Sequence, residues 1–295
     1  MKKLEGKTLS AEILASLPAR CGAVKAMLGR APSLAIINFY PVSPSGVYAR
    51  KKATACEKAG ISVKMYEPSA GITYEEFREM LIGLGKDESI DAIMVERPLP
   101  AGFDRQETWD ILSAEKDVDG LSTLNAGRLF QIKKFDEIEK KGFFVPCTAL
   151  SVVKLMQYHG IQAAGAQIAV AGRSSVVGKP LAQMLTALNA TVTLCHTGTK
   201  DIPAVFRENR IIISAAGKPK WVKKEMLPEN AVLIDVGTNM DENGKICGDA
   251  DPGCAEICSA MSPVPGGVGP LTKALLLEAV VKAAEKKIKN KRTKR

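Results

Sequence analysis

The stretch Ala171-Gly172-Arg173-Ser174-Ser175-Val176-Val177-Gly178-Lys179-Pro180 constrains this chain more than any other. It follows a short apolar run, Ile168-Ala169-Val170, and precedes an apolar helix pattern at Leu181, Met184, Leu185 and Leu188. That order reads strand, glycine turn, helix. Such a turn presents free backbone N–H groups and the positive end of a helix to an anion, most often a dinucleotide phosphate. The spacing differs from the common G-x-G-x-x-G. It is G-R-S-x-x-V-G-x-P, with an arginine where a small residue usually stands.

Two series of alternating strands and helices surround this turn. The first has strands at Leu34–Phe39, Ser62–Tyr66 and Ala92–Val95, with a helix from about Val47 to Ala59. A second helix starts at Thr73, where Thr73 and Glu76 form a capping box ahead of the stripe Phe77, Met80, Leu81 and Leu84. The second series has strands at Ile168–Ala171, Thr191–Cys195, Ile211–Ala215 and Val232–Val236. Both series predict α/β layers with parallel sheets. The boundary falls near Lys140–Pro146, where a charged stretch meets an apolar, proline-marked one. A last helix, Leu271 to about Lys287, follows the glycine- and proline-rich loop Ser262–Pro270.

At 295 residues and 46% hydrophobic content, the chain can bury one large core or two ordinary ones. No apolar run approaches the roughly 18 residues of a membrane span. The first 20 residues carry Glu5 and Glu12 in a broken apolar pattern, unlike a secretory signal, so a cytoplasmic location is expected. Seven scattered cysteines suit a reducing compartment. Cys254 and Cys258 form the only close pair. With two histidines in the chain they read as ordinary buried thiols, and no metal site is expected. The net charge is +9, but residues 286–295 hold seven cations and no anion. Without them the balance is +2. This reads as a frayed, solvated tail open to weak, salt-sensitive contact with polyanions, and the body carries no specific nucleic-acid surface.

A dinucleotide site also needs a readout of the adenosine ribose. NAD sites usually place a carboxylate at the end of the second strand. Here that strand runs into His196, Thr197, Gly198, Thr199 and Lys200, and no carboxylate appears before Asp201. A cation and hydroxyls suit a ribose phosphate, and Arg173 reaches the same place from the turn, so NADP is favoured over NAD. The bland alternative is that Arg173 caps a loop and His196 merely ends a strand. Ala216-Gly217 and Gly237-Thr238 each follow a later strand, at the sheet edge where ligands bind in open α/β folds. They also read as ordinary strand-end turns.

Tyr48 and Lys52 lie four apart on one face of a predicted helix. A Tyr-x-x-x-Lys pair occurs in short-chain dehydrogenases, but after the cofactor turn, whereas here it precedes the turn in another domain. Further stretches decide the matter: Ser45–Lys52, Pro98-Leu99-Pro100, Lys116-Asp117-Val118-Asp119-Gly120, Asn125-Ala126-Gly127-Arg128-Leu129, Pro146-Cys147-Thr148, the Gly172 turn and Pro263–Pro270. In these, and in their order from about residue 4 to residue 280, the chain resembles the bifunctional methylenetetrahydrofolate dehydrogenase/cyclohydrolase family. The resemblance implies two α/β domains with a cleft between them. Residues 1–145, completed by the helix 271–287, form a folate-binding catalytic domain. Residues 146–270 form a Rossmann-like NADP-binding domain, and 288–295 a basic tail. It implies oxidation of 5,10-methylenetetrahydrofolate by NADP, hydrolysis of the methenyl product to 10-formyltetrahydrofolate, and a homodimer. By position Lys52 is the catalytic lysine, Tyr48 covers the pterin, and Asp119 holds its amino-pyrimidine edge. Pro265, Gly266 and Gly267 contribute to substrate binding. Gly172, Arg173, Ser174, Val177, Gly178, His196, Thr197, Ala216, Gly217, Gly237 and Thr238 bind the cofactor.

The chain departs from the family pattern at one chemically important place. Before Pro-Leu-Pro the family has Val-Gln-Leu, and here the residues are Val95-Glu96-Arg97. The glutamine normally hydrogen-bonds the catalytic lysine. A carboxylate instead stabilises the ammonium form and opposes a neutral base, so Glu96 joins the catalytic set as a residue expected to weaken the hydrolytic step. Arg97 pairing with Glu96, or a protonated Glu96, would blunt that effect. Tyr40 replaces a glycine near the folate mouth, Ala149 and Ser151 replace a proline and a glycine, and Leu121-Ser122-Thr123 follows the Asp119 turn. The alternatives are a paralogue with a shifted substrate and a non-enzymatic dinucleotide-binding protein.

Overall fold

A computed structural model describes residues 1–293, apart from the side chains at 44, 45 and 291–293. In chain order the elements begin β1 (Lys2–Lys3), α1 (Lys7–Leu28), β2 (Ser33–Ile37), α2 (Pro44–Lys58), β3 (Ser62–Tyr66), α3 (Tyr74–Lys86), β4 (Ala92–Val95), α4 (Gln106–Ile111) and α5 (Thr123–Gln131). There follow α6 (Glu137–Lys141), α7 (Cys147–Tyr158), β5 (Gln167–Ala171), α8 (Gly178–Ala187), β6 (Thr191–Cys195), α9 (Ile202–Arg207), β7 (Ile211–Ser214) and β8 (Val232–Asp235). The chain closes with β9 (Asn239–Met240), β10 (Ile246–Cys247), β11 (Ala260–Met261) and α10 (Val268–Thr293). It divides into an amino-terminal unit, Ala11–Arg128 with Phe143–Val145 and the chain from Lys273 onward, and a central unit, Met1–Ser10, Leu129–Gly142 and Pro146–Thr272.

In the amino-terminal unit a parallel sheet runs in the order β3-β2-β4. Every residue of β2 is buried, as a central strand covered on both faces requires. The chain leaves β2 for β3 on one side and returns to β4 on the other, so the carboxyl end of β2 is a topological switch point, where open α/β sheets bind ligands. The predicted capping box is present. The Glu76 N–H donates to Thr73 Oγ1 (3.2 Å), and the Thr73 N–H donates to the Glu76 carboxylate (2.8 Å). Helix α2 begins three residues before the predicted Val47, because the Ser43 hydroxyl accepts from the Gly46 N–H. Phe39, Phe77 and Phe103 pack together beneath the sheet.

Helix α10 is longer than the sequence predicts. The expected stop near Lys287 and the frayed tail at 288–295 give way to helix through Thr293, while residues 294 and 295 lie outside the described residues. Its lysines are not all solvated. Lys287 Nζ donates to the carbonyls of Glu88 and Ile90 and pairs with Asp91, and Lys286 lies over the Phe144 ring. On α1, the Arg20 guanidinium bridges Glu278 and Glu285 of α10.

The central unit holds a six-stranded parallel sheet in the order β1-β11-β8-β7-β5-β6. Again the chain leaves one strand, β5, for a neighbour on one side (β6) and then returns on the other (β7). Residues 1–10 and 129–142 group here rather than with the predicted domain 1–145. The cause is backbone pairing: β1 joins β11, and the Phe135 N–H donates to the Ala187 carbonyl. A two-residue strand of lysines carries no hydropathy signal. Cys254 and Cys258 are buried, and burial pushes their thiols up to about 12 and about 11.

Candidate functional site

In the amino-terminal unit four of the predicted residues converge at the carboxyl edge of β2 and β4. Helix α2, the crossover from β2 to β3, carries Tyr48 and Lys52 one turn apart. Lys52 Nζ lies 4.8 Å from the centre of the Tyr48 ring. Glu96 follows β4 directly, and its N–H donates to the Ile37 carbonyl of β2. Its buried carboxylate meets Lys52 Nζ at 2.6 Å, with Met94 Sδ beside the same nitrogen at 3.9 Å. Arg97 does not pair with Glu96. Its guanidinium reaches Asp104 (3.2 Å) and stacks on the Trp109 ring (4.9 Å), so among the described residues Lys52 is the cation that pairs with the Glu96 carboxylate.

Asp119 is brought in by the next segment. Asp117 extends the sheet by a bridge to Ile93. The buried Asp117 carboxylate accepts from the N–H groups of Leu121 and Ser122 and from Asn125 Nδ2, which fixes the turn into α5. Gly120, at φ +62°, lets the turn press against the Val145 backbone, where a Cβ would collide. Asp119 is thus held toward Lys52 and Glu96. Burial pushes its carboxyl up to about 6; Lys52 opposes the shift, while Asp117 and Glu96 add to it. Among the described residues no hydrogen bond reaches this carboxylate, so its acceptors are open to a ligand. Nearby, Tyr40 is part exposed after β2, and Asn38 Nδ2 is buried without a partner.

In the central unit the Gly172 turn sits at the switch point of β5. Gly172 has φ +123°, and a Cβ there would strike the Ala215 carbonyl. Gly178 starts α8 packed on the Gly172 carbonyl, again with no room for a Cβ. Ser174 Oγ accepts from the Val177 N–H (3.1 Å), closing the loop between them. Arg173 is exposed, and among the described residues its guanidinium has no hydrogen bond or ion pair, so it does not cap the loop. The Gly172 N–H donates to the Cys195 carbonyl, which sets His196 and Thr197 alongside Arg173. The Gly198 N–H donates to His196 Nδ1 (3.0 Å), a tautomer that leaves Nε2–H free to donate. Asp201, the first carboxylate after β6, is occupied as the cap of α9 through the Ala204 N–H. The donor set therefore fits a phosphorylated ribose: one cation, one imidazole, one hydroxyl and no available carboxylate.

Ala216, Gly217, Gly237 and Thr238 lie at the carboxyl ends of β7 and β8, as the spacing requires. Their surroundings hold two buried carboxylates that the sequence reading passed over. Asp249 accepts from the N–H groups of Ala216, Gly217 and Lys218, and Asp235 accepts from those of Gly237, Asp249 and Ala250. Asp235 directly ends an apolar strand, which is a legible hint; Asp249 has no such signal. Pro265, Gly266 and Gly267 form a tight loop in the same unit. The Gly6 N–H donates to the Gly266 carbonyl, and Ser262 Oγ accepts from the Asp235 N–H.

Comparison with known proteins follows these two groupings. The family model for the tetrahydrofolate dehydrogenase/cyclohydrolase catalytic domain matches residues 4–119, and that for the NAD(P)-binding domain matches residues 146–288. The bifunctional protein FolD of Elusimicrobium minutum is 43% identical over 286 residues, spanning 97% of this chain and 99% of that protein. A crystal structure of the bifunctional enzyme FolD from Campylobacter jejuni is 36% identical with a TM-score of 0.90, covering 97% of this chain and 99% of that one. The Trypanosoma brucei enzyme, solved with NADP cofactor and inhibitor, is 30% identical with a TM-score of 0.85, covering 96% and 97%. Full-length relatives at these identities, matched in both units, show that the chain belongs to the tetrahydrofolate dehydrogenase/cyclohydrolase family.

Proposed function

We propose that this chain oxidises 5,10-methylenetetrahydrofolate to the methenyl form with NADP, and that its hydrolysis of that product to 10-formyltetrahydrofolate is weak. The observation that carries the reading is the 2.6 Å contact between Lys52 Nζ and Glu96 Oε1, with Tyr48 and Asp119 beside it. When bound, the nicotinamide supplies the redox chemistry by taking up a hydride. Asp119, ionised above about pH 6, accepts two parallel N–H donors from the amino-pyrimidine edge. Tyr48 covers the ring with its exposed face. Hydrolysis further requires a group that takes a proton from the attacking water. Lys52 is placed for that, but its short charge-assisted hydrogen bond to the Glu96 carboxylate ties up the nitrogen that would take the proton. The hydride step needs no such base and survives.

Gly172 and Gly178, with no room for a Cβ, would let the cofactor pyrophosphate approach the turn that Ser174 and Val177 close, and Arg173, His196 and Thr197 would hold the ribose phosphate. Ala216, Gly217, Gly237 and Thr238 would line the rest of the dinucleotide. A cytoplasmic setting and a homodimer belong to the same reading; seven free cysteines, six of them buried, suit a reducing compartment. No described helix is long and apolar enough to cross a membrane. The joint presence of Lys52, Tyr48 and Asp119 argues against the non-enzymatic alternative, and full-length relatives that are bifunctional FolD proteins do not favour the paralogue. An absorbance assay that follows NADPH and methenyl product separately tests the proposal. Turnover with NADP well above that with NAD, with methenyl product accumulating, is the expected result, and no turnover with either cofactor would overturn it.

A further inference from the structure

Three successive backbone N–H groups, of Ala216, Gly217 and Lys218, point at one side chain. Asp249 Oδ2 accepts from Ala216 (2.7 Å) and Gly217 (3.3 Å), and Oδ1 from Lys218 (3.0 Å). Ser214 Oγ donates to the same carboxylate at 2.8 Å and Asn239 Nδ2 at 3.0 Å. Asp249 is fully buried, and among the described residues no cation pairs with it. Successive N–H groups of this kind form an anion-binding concavity, and here a built-in carboxylate fills it. The loop after β7 is therefore not a phosphate site; phosphate is left to the turn at Gly172.

A buried carboxylate without a cation is an expensive way to stabilise a loop, since a neutral side chain would avoid the desolvation. What the carboxylate provides is five acceptor contacts from one point, tying the end of β7 to β9 and to the segment after β10. Gly237 touches it as well: a Cβ there would collide with Asp249 Oδ1. Asp235 supports the arrangement from behind by accepting from the Asp249 N–H (2.9 Å).

We infer that Asp249 is a positioning residue for the dinucleotide, fixing the loops that carry Ala216-Gly217 and Gly237-Thr238 against the cofactor. This rests on the NADP reading above. Asparagine at 249 would turn an NH2 group toward donors and leave at least one of them unpaired.

The test is calorimetric titration of the full-length protein with NADP, beside KM for methylenetetrahydrofolate, in wild type, Asp249→Asn and Asn239→Ala. Losing a hydrogen bond to a charged acceptor predicts a rise of about tenfold or more in the NADP Kd of Asp249→Asn. Asn239→Ala, which removes one donor, should raise it a fewfold. The folate KM stays within about twofold in both. General destabilisation would instead lower the active fraction and leave the Kd of the folded remainder unchanged. An unchanged NADP Kd in folded Asp249→Asn overturns the inference, as does an equal rise for both ligands. Should that variant not fold, an unchanged Kd in Asn239→Ala overturns it. A wild type that binds no NADP would remove the dinucleotide reading itself.

Discussion

At Asp119 stability and the proposed folate binding depend on the same carboxyl. Its carboxyl is pushed up to about 6 by burial, so between the ordinary carboxylate range and that value the folded chain holds more protons than the unfolded one. Stability then falls as pH rises through the window, and above it the unfavourable contribution is complete. Asp119→Asn should stabilise the protein by about 1–2 kcal/mol at pH 7.5, allowing for its part-exposed edge, and show no such gain near pH 4. Thermal melts at the two pH values check this. Binding should respond in the opposite sense: the folate KM of wild type should climb as pH drops below about 6, because a protonated carboxyl no longer accepts two donors. Lys52, Tyr48, Glu96 and Asp119 were all legible in the sequence, through one helical spacing and a family resemblance. The freedom of Glu96 from Arg97 was not, because the partner of Arg97, Asp104, lies in a loop whose path no pattern predicts.

At the scale of elements, the turn from β5 into α8 depends on two glycines for separate reasons. Gly172 supplies a left-handed φ and a close approach to Ala215, and Gly178 the packing of α8 on the turn. Gly172→Ala should cost about 2–4 kcal/mol and weaken NADP at least tenfold, readable by denaturant unfolding and by titration. The strands were legible to within about two residues, since parallel strands covered on both faces are continuous apolar runs. Strands β1, β9, β10 and β11 were not, because each has two residues and owes its existence to a neighbour's backbone. The extension of α10 was hidden for a related reason. Its lysines read as a solvated run, whereas Lys287 is anchored by carbonyls and a carboxylate distant in sequence.

At the scale of the whole molecule, the charge balance has to be read by place. Part of the carboxy-terminal charge serves the fold: Asp91 is fully buried and pairs with Arg30 and Lys287. Burial pushes its carboxyl up, but the two cations outweigh burial and hold it below the ordinary carboxylate value. Its contribution is therefore complete above the unfolded range and is lost as pH falls through the folded value. Lys287→Ala should lower stability by about 1–2 kcal/mol and Tm by about 2–8 °C at neutral pH, with the gap narrowing in acid. On the proposed function the chain's output as an enzyme turns on how its two activities are partitioned, and the carboxylate proposed to set that partition is Glu96. The most direct measurement is the ratio of methenyl hydrolysis to NADPH formation in wild type and Glu96→Gln. Freeing Lys52 Nζ from the carboxylate is expected to raise the hydrolytic rate by about tenfold or more, with the hydride-transfer rate changing little. An unchanged hydrolytic rate, or a fall in both rates together, would contradict it.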